Sequence, residues 1–430
     1  MQKPKHPWFR RRGYPHFDHP ISFREAKRIV KNPLQVAQHS FYPFVEFTIN
    51  TFKVKRNKIT DKVERVEKIR PIAYASHVDC HIYSYYSFIL SKIYESWIRS
   101  SGLNECILAF RSKGKSNVEF AKDAFDAIKK MGNCHVVALD ITGFFDNLDH
   151  KILKLEWANL IDERNLPADH YAVFKSLTKF ATVNQIKLYE SLGISSNNKK
   201  SNPKRLCTPL EFRTVIRSKE KIVKNNKGSK KGIPQGSPIS ALLSNIYMRQ
   251  FDKVLYSFAN SCAGHYFRYC DDILLVVPTE KSSYVETLAI NEISKLNLVI
   301  NPTKTDRVGF QINSTGELCS TKPLQYLGFL FDGEKIILRS ASLARYSEKM
   351  KKGIKIAKAT MLKRNLARIA RGEDEKPLFR HKINKRYSHF GRRNFISYGY
   401  SAARKMDSNA IRKQLRRLTK RMINEIDRKK

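Results

Sequence analysis

Long apolar runs are missing from this sequence of 430 residues. Its apolar stretches are short, such as residues 273–277, whereas about 20 consecutive apolar residues are needed to span a bilayer. The basic N-terminus is not followed by a long apolar region either, which argues against a secretion signal. We therefore expect a cytoplasmic protein without a membrane partner.

Paired cysteines are also missing. The seven cysteines are irregularly spaced, with no Cys-x-x-Cys pair; they are Cys80, Cys106, Cys134, Cys207, Cys262, Cys270 and Cys319. This spacing argues against a zinc ribbon or a dithiol redox site, and the simplest interpretation is reduced thiols.

Acidic residues are scarce, with 39 Asp and Glu against 81 Lys and Arg, for a net charge of +42. Residues 341–430 alone hold 28 basic and 7 acidic side chains. Such a charge repels itself unless a polyanion neutralises it, and the polyanions to consider are nucleic acid and an anionic membrane surface. An excess this large favours nucleic acid over a merely solvated charged face.

The central part of the chain, 134–332, is the richest in predicted strands and turns. The pattern predicts a strand at 135–141, a helix capped by Asp149, a hairpin at 265–277, a helix at 282–296 and a last hairpin around 331–333. This is the order of a split βαβ, ferredoxin-like sheet. Such a sheet can hold the turn of its hairpin beside the end of its first strand.

Three other segments have simpler patterns. Residues 195–231 are polar without a sustained apolar period, which predicts a long surface insertion or a loop ordered by its ligand. The pair Ser237-Pro238 predicts the start of a helix. From Ser342 onward the spacing is helical, with Gly372 as the predicted stop.

Three aspartates lie at the ends of the apolar strands. Asp140 ends the first strand, and Asp271 and Asp272 occupy the turn of the hairpin. In isolation such an Asp-Asp pair is more often a polar turn. If the three carboxylates are close together, cations must neutralise them, and two Mg²⁺ ions, or Mn²⁺ as the alternative, suit these hard oxygen ligands. Two metal ions about 4 Å apart can activate a 3′-hydroxyl and stabilise a leaving pyrophosphate.

Five motifs, spread over about 190 residues and in the same order as in reverse transcriptases, resemble that family. They are the first-aspartate motif at 140–147, the Pro-Gln-Gly-Ser-Pro loop of the bacterial branch at 232–238, the Tyr-x-Asp-Asp box at 269–272, the motif at 298–305 and the primer-grip hairpin at 324–329. The resemblance implies an α+β fold, the right-hand polymerase with fingers, ferredoxin-like palm and helical thumb. It also implies a basic N-terminal arm at 1–20, fingers at 21–131, a palm at 132–335 that includes the polar insertion, and a basic thumb at 336–430.

The resemblance assigns roles to individual residues. Asp140, Asp271, Asp272 and Lys304 are the expected catalytic residues, and Lys304 would protonate the pyrophosphate. The expected metal ligands are Asp140, Ile141, Asp271 and Asp272. The expected nucleotide contacts are Lys68, Arg70, Phe145, Gln235 and Gly236. The ring of Phe145 would exclude a 2′-hydroxyl, although a core aromatic is the alternative interpretation.

Nucleic-acid contacts are expected at cations and at the primer-grip turn. These residues are Arg10, Arg11, Arg12, Arg111, Lys199, Lys200, Tyr326, Leu327, Gly328, Arg364, Arg368, Arg412 and Arg416. In the N-terminal arm the arginines lie beside Trp8, Phe9 and Tyr14, a combination that suits unpaired RNA bases. The alternative for this arm is a disordered, solubilising tail.

Several modules of other reverse transcriptases have no counterpart here. About 90 residues follow the primer-grip hairpin, and they are basic rather than rich in spaced carboxylates, so we expect no ribonuclease H domain among them. We find no endonuclease finger, no retron Asn-Ala-x-x-His or Val-Thr-Gly motif, and no Walker motif around Arg111. Segments 12–18, 70–77 and 109–117 resemble instead the bacterial "unknown-group", defence-associated enzymes, and most closely their type 2 system.

The leading hypothesis is therefore an RNA-directed DNA polymerase of the bacterial cytoplasm. It would copy a dedicated structured noncoding RNA into cDNA from dNTPs, in antiphage defence. One alternative is an abortive-infection-type polymerase that extends a protein primer without a template, for which the 19 tyrosines leave many candidate primers. The other is a non-catalytic RNA-binding scaffold, although a scaffold has no need of three clustered acids.

Overall fold

The computed structural model describes residues 6–56, 63–195 and 205–428. The chain forms two compact units. The first comprises Met1–Arg111, Ala138–Leu275 and Lys281–Thr305, and the second comprises Ser112–Val137, Val276–Glu280 and Asp306–Lys430. The division into arm, fingers, palm and thumb stays a prediction.

The chain mixes helices and short strands throughout its length. The helices are α1 (Phe23–Val30), α2 (Pro33–Ala37), α3 (His77–Ser100), α4 (Asn117–Met131), α5 (Phe144–Asn147), α6 (His150–Leu160), α7 (Ala168–Thr178), α8 (Gln185–Ser191), α9 (Pro209–Glu211), α10 (Ser240–Tyr247), α11 (Arg249–Ser261), α12 (Ser282–Lys295), α13 (Ser340–Ile369), α14 (Arg380–Tyr387), α15 (Phe395–Lys405) and α16 (Asn409–Asp427). A π-helix covers Phe212–Lys219 and a 3-10 turn covers Thr279–Lys281. The strands are β1 (Phe44–Arg56), β2 (Val63–Tyr74), β3 (Cys134–Asp140), β4 (Ala181–Asn184), β5 (Val223–Asn225), β6 (His265–Tyr269), β7 (Asp272–Val277), β8 (Asp306–Ile312), β9 (Leu318–Ser320), β10 (Leu324–Tyr326), β11 (Phe329–Phe331) and β12 (Ile336–Leu338).

A four-stranded sheet in the first unit has the order β2-β1-β4-β5. β1 runs antiparallel to β2, with Val45 opposite Tyr74, and parallel to β4. β5 closes the sheet antiparallel to β4. This sheet carries Lys68 and Arg70 on β2, so two of the expected nucleotide contacts stand on a regular hairpin.

The segment predicted as a surface insertion or ligand-ordered loop is structured in its described part, so that prediction was wrong there. Residues 205–225 contribute α9, the π-helix and β5, and their buried side chains pack with Phe17, Val45 and Val183. These buried side chains are Leu206, Cys207, Phe212 and Ile216. The sequence concealed this because a π-helix does not follow the 3.6-residue period of an α-helix.

The hairpin and first strand predicted for the centre are present. In the first unit the strand order is β6-β7-β3, so the second hairpin strand lies next to the strand that ends in Asp140. In the second unit the order is β3-β8-β9. Both orders agree with the expected split βαβ arrangement. Asp149 caps α6 as predicted, because its carboxylate accepts hydrogen bonds from the backbone N–H groups of Lys151 and Ile152 at 2.8 and 3.2 Å.

The predicted helix start, with Ser237 as N-cap and Pro238 as first helical residue, was wrong by two residues, because Ile239 is the N-cap. α10 begins at Ser240, whose hydroxyl donates to the carbonyl of Pro234 at 2.7 Å. The chain makes a turn at 237–240 first, because the Ser240 N–H bonds to the Ser237 carbonyl rather than to a residue four positions back.

The second unit is mainly helical. β10, β11 and β12 form a three-stranded antiparallel sheet, and α13 runs for 30 residues before Gly372, which adopts a φ of +73°. α13 buries Tyr346, Met350 and Ile354 and contacts α16. The long helix after 342 and its stop at Gly372 are therefore as predicted.

All seven cysteines are free. Within the described ranges, no helix is both long and apolar enough to cross a membrane.

Candidate active site

The end of β3 lies beside the turn between β6 and β7. The backbone N–H of Ile141 donates to the carbonyl of Asp271 at 3.3 Å, which joins the residue after Asp140 to the hairpin turn. Asp140 is mostly buried, with 17% of its side chain exposed, whereas Asp272 is exposed at the start of β7. The sequence thus places these acids where apolar strands end.

Lys304 is brought to Asp140 by the turn that follows residue 300. The Asn301 N–H donates to the Asp140 carbonyl at 2.7 Å, and the Lys304 N–H donates to the Asn301 carbonyl at 3.1 Å. The Lys304 ammonium then contacts Oδ2 of Asp140 directly. Two residues expected to be catalytic are therefore in contact.

Lys68 on β2 belongs to the same electrostatic environment. Burial lowers its pKa, and the positive charges of Arg70 and Lys304 lower it further, while the carboxylates of Asp140 and Asp271 act in the opposite direction. One charged site therefore holds Lys68, Arg70, Lys304, Asp140 and Asp271.

The donor chemistry of this site fits a divalent cation. Carboxylates are the hard oxygen ligands that Mg²⁺ prefers, and Asp140, Asp271 and Asp272 offer three of them. Among residues 6–56, 63–195 and 205–428, no group of three or more His, Cys, Asp or Glu side chains is arranged to hold a metal ion. The convergence of the three acids on cations, with Ile141 as a further ligand, stays a prediction.

The loop at 232–236 packs tightly because it contains glycine. Gly236 has a φ of +114°, and a Cβ at this position would lie 2.5 Å from the Ala73 carbonyl oxygen. The Ala73 N–H donates to the Gln235 carbonyl at 2.8 Å, which ties the loop to the end of β2. The Gln235 side chain reaches Asp146 at 3.4 Å. Two expected nucleotide contacts, Gln235 and Gly236, thus stand between β2 and α5.

Phe144 and Phe145 have different environments. Phe144 is buried, with 4% exposure, whereas Phe145 is half-buried. The carbonyl of Phe145 accepts the N–H of Ile233 at 2.9 Å, so the loop fixes its backbone. Phe144 is the core aromatic of this pair, and Phe145 retains a free surface that a substrate could contact.

Arg111 was wrongly predicted to bind nucleic acid. Its guanidinium makes two 2.8 Å bonds to Glu95 and donates to the carbonyls of Asn104 and Ile107 at 2.7 Å each. Only 2% of its side chain is exposed. The residue closes the loop at 104–111 internally, so its donors are not available to phosphate.

The N-terminal arm packs on α3, so the described part of it is not a disordered tail. Phe9 stacks on His81 with ring centroids 4.8 Å apart, and the Tyr14 hydroxyl donates to the Ala75 carbonyl at 2.9 Å. This packing uses the rings that we expected to stack on RNA bases. Arg10 and Arg11 are exposed, and Arg12 is half-buried. The expected contacts Lys199 and Lys200 lie outside the described residues.

In the second unit, the predicted primer-grip turn is a hairpin turn. Tyr326 is buried at its start, and Leu327 and Gly328 have φ values of +44° and +96°. Of the expected helical cations, Arg364 and Arg416 are exposed. The others donate to asparagine side chains on their own helices at 2.8 Å; these are Arg368 to Asn365 and Arg412 to Asn409.

Sequence reasoning missed a buried polar network beneath the turn between β6 and β7. Arg268 on β6 has no exposed surface and bonds to Asp252, Asn245 and the carbonyl of Cys270. A signal existed in the sequence, because an arginine within the apolar run 266–269 needs a buried partner.

The model of the family described as "Reverse transcriptase (RNA-dependent DNA polymerase)" matches residues 59–331, more than half of the chain. The chain belongs to the reverse transcriptase family. This confirms the predicted fold class, α+β of the right-hand polymerase type, and the prediction of an enzyme that is a nucleotidyltransferase. Reverse transcriptases use divalent metal ions, so the coarser part of the cofactor prediction also holds.

Comparison with solved structures finds telomerases. A truncated apo telomerase from Candida tropicalis is 11% identical, with a TM-score of 0.41, over 67% of this chain and 55% of that one. A telomerase from Candida albicans with a fragment of telomeric RNA is 12% identical, with a TM-score of 0.41, over 93% and 65% of the two chains. The apo C. tropicalis telomerase is 13% identical, with a TM-score of 0.38, over 94% and 64%. This chain therefore spans less than two thirds of the length of each. No curated protein matches it.

Proposed function

We propose that this reverse transcriptase polymerises dNTPs on an RNA template at Asp140, Asp271 and Asp272, with two Mg²⁺ ions. The observation that carries the proposal is the junction of β3 with the hairpin turn, where Ile141 bonds to Asp271 and Lys304 contacts Asp140. When bound, the metal ions would activate the primer 3′-hydroxyl and stabilise the pyrophosphate.

The surrounding residues would bind and orient the nucleotide. Lys68 and Arg70 are cations on β2 suited to a triphosphate, with Arg70 able to present a fork of donors. Lys304 would give its proton to the leaving pyrophosphate. Phe145 would lie against the sugar.

The test uses the carboxylates themselves. Asp271→Asn or Asp272→Asn should abolish Mg²⁺-dependent nucleotide addition while RNA binding stays near that of the wild type, because the amide is nearly isosteric but carries no charge. Asp162→Asn is a matched control, since Asp162 is an exposed residue of the first unit with a φ of +58°, a conformation that asparagine tolerates. Near-wild-type synthesis by either active-site variant would overturn the assignment.

The template is proposed to be one structured noncoding RNA, in bacterial antiphage defence. The net charge of +42 supports a stable ribonucleoprotein, and the exposed arginines of the arm and of the long helices supply cations for it. The resemblance of segments 12–18, 70–77 and 109–117 to the defence-associated enzymes supports the biological role.

Purification from the native locus after a high-salt wash, followed by sequencing of bound RNA and DNA, tests this. One dominant RNA, with DNA complementary to part of it, is the expected result. A broad mixture of transcripts would contradict a dedicated template, and DNA made equally well after ribonuclease treatment would indicate template-independent synthesis.

A further inference from the structure

Arg268 is fully buried directly before the catalytic turn, and its guanidinium makes four bonds. Nε and Nη2 donate to the two carboxylate oxygens of Asp252 at 2.6 Å each. Nη1 donates to Oδ1 of Asn245 at 3.1 Å and to the carbonyl of Cys270 at 3.2 Å. The side chain therefore links α10 and α11 to the turn that carries Asp271 and Asp272.

The partners of Arg268 are themselves held in place. The Tyr266 hydroxyl donates to Asp252 at 2.6 Å, and the amide of Asn245 donates to the Ala109 carbonyl at 3.0 Å. The backbone of Arg268 pairs with the loop at 106–108, donating to the Cys106 carbonyl and accepting from the Leu108 N–H. Little freedom of movement is left to the guanidinium.

Burial alone opposes the charged form of Arg268, but the Asp252 carboxylate more than compensates and raises the pKa of Arg268. Burial also raises the pKa of Asp252, but both carboxylate oxygens lie 2.6 Å from guanidinium nitrogens, the two-pronged geometry of an ionised pair. Buried ion pairs are poor sources of stability, since well-packed apolar residues often replace them without loss. This suggests that the pair contributes something other than stability.

The contribution of the pair is to the conformation of the turn at Cys270. Cys270 has a φ of +62°, a conformation that is unfavourable for residues other than glycine. The Cys270 carbonyl and the Asp271 N–H belong to one peptide plane. A bond to that carbonyl fixes the plane, and with it the direction in which the backbone enters Asp271.

We propose that Arg268 is a positioning residue for the catalytic turn, holding the Cys270 carbonyl so that Asp271 and Asp272 point at the metal ions, with Asp252 and Asn245 holding its guanidinium. This inference rests on the proposed function of the two acids. Arg268 itself touches neither substrate nor metal.

The primary test is Arg268→Met, which removes every donor and keeps most of the apolar volume. The measured quantities are Mn²⁺ affinity by electron paramagnetic resonance, kcat and KM for dNTP addition, and amide hydrogen exchange at 270–273. Groups that support metal ligands typically contribute 10- to 100-fold to metal affinity or activity, so losses of about that size are expected in Mn²⁺ affinity and kcat. KM should change little, and exchange should become faster. Arg268→Lys should restore these values only in part, because one ammonium cannot reach all three partners.

A second variant separates positioning from folding. Arg268→Met combined with Asp252→Leu and Tyr266→Phe removes the buried charges and the hydroxyl together, so the fold should be kept. It should still bind Mn²⁺ about as weakly as Arg268→Met. Wild-type Mn²⁺ affinity in this folded triple variant would overturn the proposal.

Arg249→Met is the matched control. Arg249 is another buried arginine, 3.5 Å from Glu156 and without a contact to the turn. The Arg249→Met variant should lose stability while keeping wild-type Mn²⁺ affinity and wild-type amide hydrogen exchange at 270–273. If the proposed function itself is wrong, the result will differ, because the Asp271→Asn variant will still synthesise DNA. If Asp271→Asn is inactive and folded Arg268→Met keeps wild-type affinity, kcat and exchange, only the positioning role is refuted.

Discussion

The Lys304 ammonium contacts Oδ2 of Asp140 across 164 residues of sequence. Its side chain is 44% exposed while that of Asp140 is 17% exposed, so the lysine reaches inward from solvent to a mostly buried acid. A divalent cation bound by Asp140 would need the same carboxylate. If Asp140 binds a metal ion as proposed, lysine and metal ion would therefore compete for it.

This competition predicts that Lys304→Ala binds Mn²⁺ more tightly than the wild type when nucleotide is absent. We expect a gain of several-fold, since an ion pair this exposed contributes on the order of 1 kcal/mol. Turnover should fall by about 10²-fold or more, because the proton donor for pyrophosphate is lost. Lys295→Ala is the control, as Lys295 pairs with Glu292 on an exposed helix face. Unchanged Mn²⁺ affinity in Lys304→Ala would show that the ammonium does not compete with the metal ion.

Phe145→Ala is expected to raise the efficiency of ribonucleotide incorporation relative to deoxyribonucleotides. Removing the half-buried ring opens space where a 2′-hydroxyl would lie. The measurement is the ratio of kcat/KM for the two sugars. Phe144→Leu, which keeps the buried apolar volume of the neighbouring position, should leave the ratio unchanged. An unchanged ratio in Phe145→Ala would make that ring a packing residue.

The basic helix α13 is expected to bind phosphate through its exposed cations. Replacing Lys351, Lys352, Lys355 and Arg364 by Ala should flatten the slope of log affinity against log salt by up to roughly 3, at 0.7 to 0.9 for each phosphate that is no longer neutralised. Alanine keeps the helix intact. The measurement is RNA affinity across a salt series.

Two arginines at the C-terminal end of α13 and just after it provide the comparison. Arg368 and Arg371 already interact with Glu373, so their joint replacement should flatten the slope by less per charge. An unchanged slope for the fourfold variant would make these side chains a solvated face.

Local features of the fold were predictable because neighbouring residues dictate them. The Asp149 cap, the hairpin around Cys270 and the long helix before Gly372 depend on patterns within a few residues. The candidate acids were located in the same way, because Asp140 ends β3 and the Asp271-Asp272 pair marks the turn between β6 and β7. Their catalytic role stays a prediction.

Partners distant in sequence were not predictable. Arg111 looks like a phosphate ligand until Glu95 is found beside it, 16 residues earlier. Asp252, which precedes Arg268 by 16 residues, looks like an ordinary surface charge until the fold buries it against that arginine. A pattern of residue types shows which charged groups are present, but the fold decides which of them already have a partner within the protein.

Buried histidines predict a loss of stability in mild acid. His16 and His81 are 0% and 3% exposed, and burial lowers the pKa of each to about 4, from an ordinary value of 6.5. Between pH 6.5 and 4 the unfolded chain binds protons at these sites and the folded chain does not. The free energy of unfolding should therefore fall as the pH falls through this window, by roughly 3 kcal/mol per histidine.

His81→Gln isolates one of these groups, because glutamine is polar but does not titrate. Its free energy of unfolding should depend less on pH between 6.5 and 4, with a slope smaller by up to about 1.4 kcal/mol per pH unit. Above pH 7 the variant should show only a constant offset, since His81 is neutral there in both states. Urea unfolding at a series of pH values measures this, with the exposed His19→Gln of the same unit as control. If His81→Gln and the wild type have parallel profiles through that window, His81 is not held neutral by the fold, and the acid sensitivity must come from other groups.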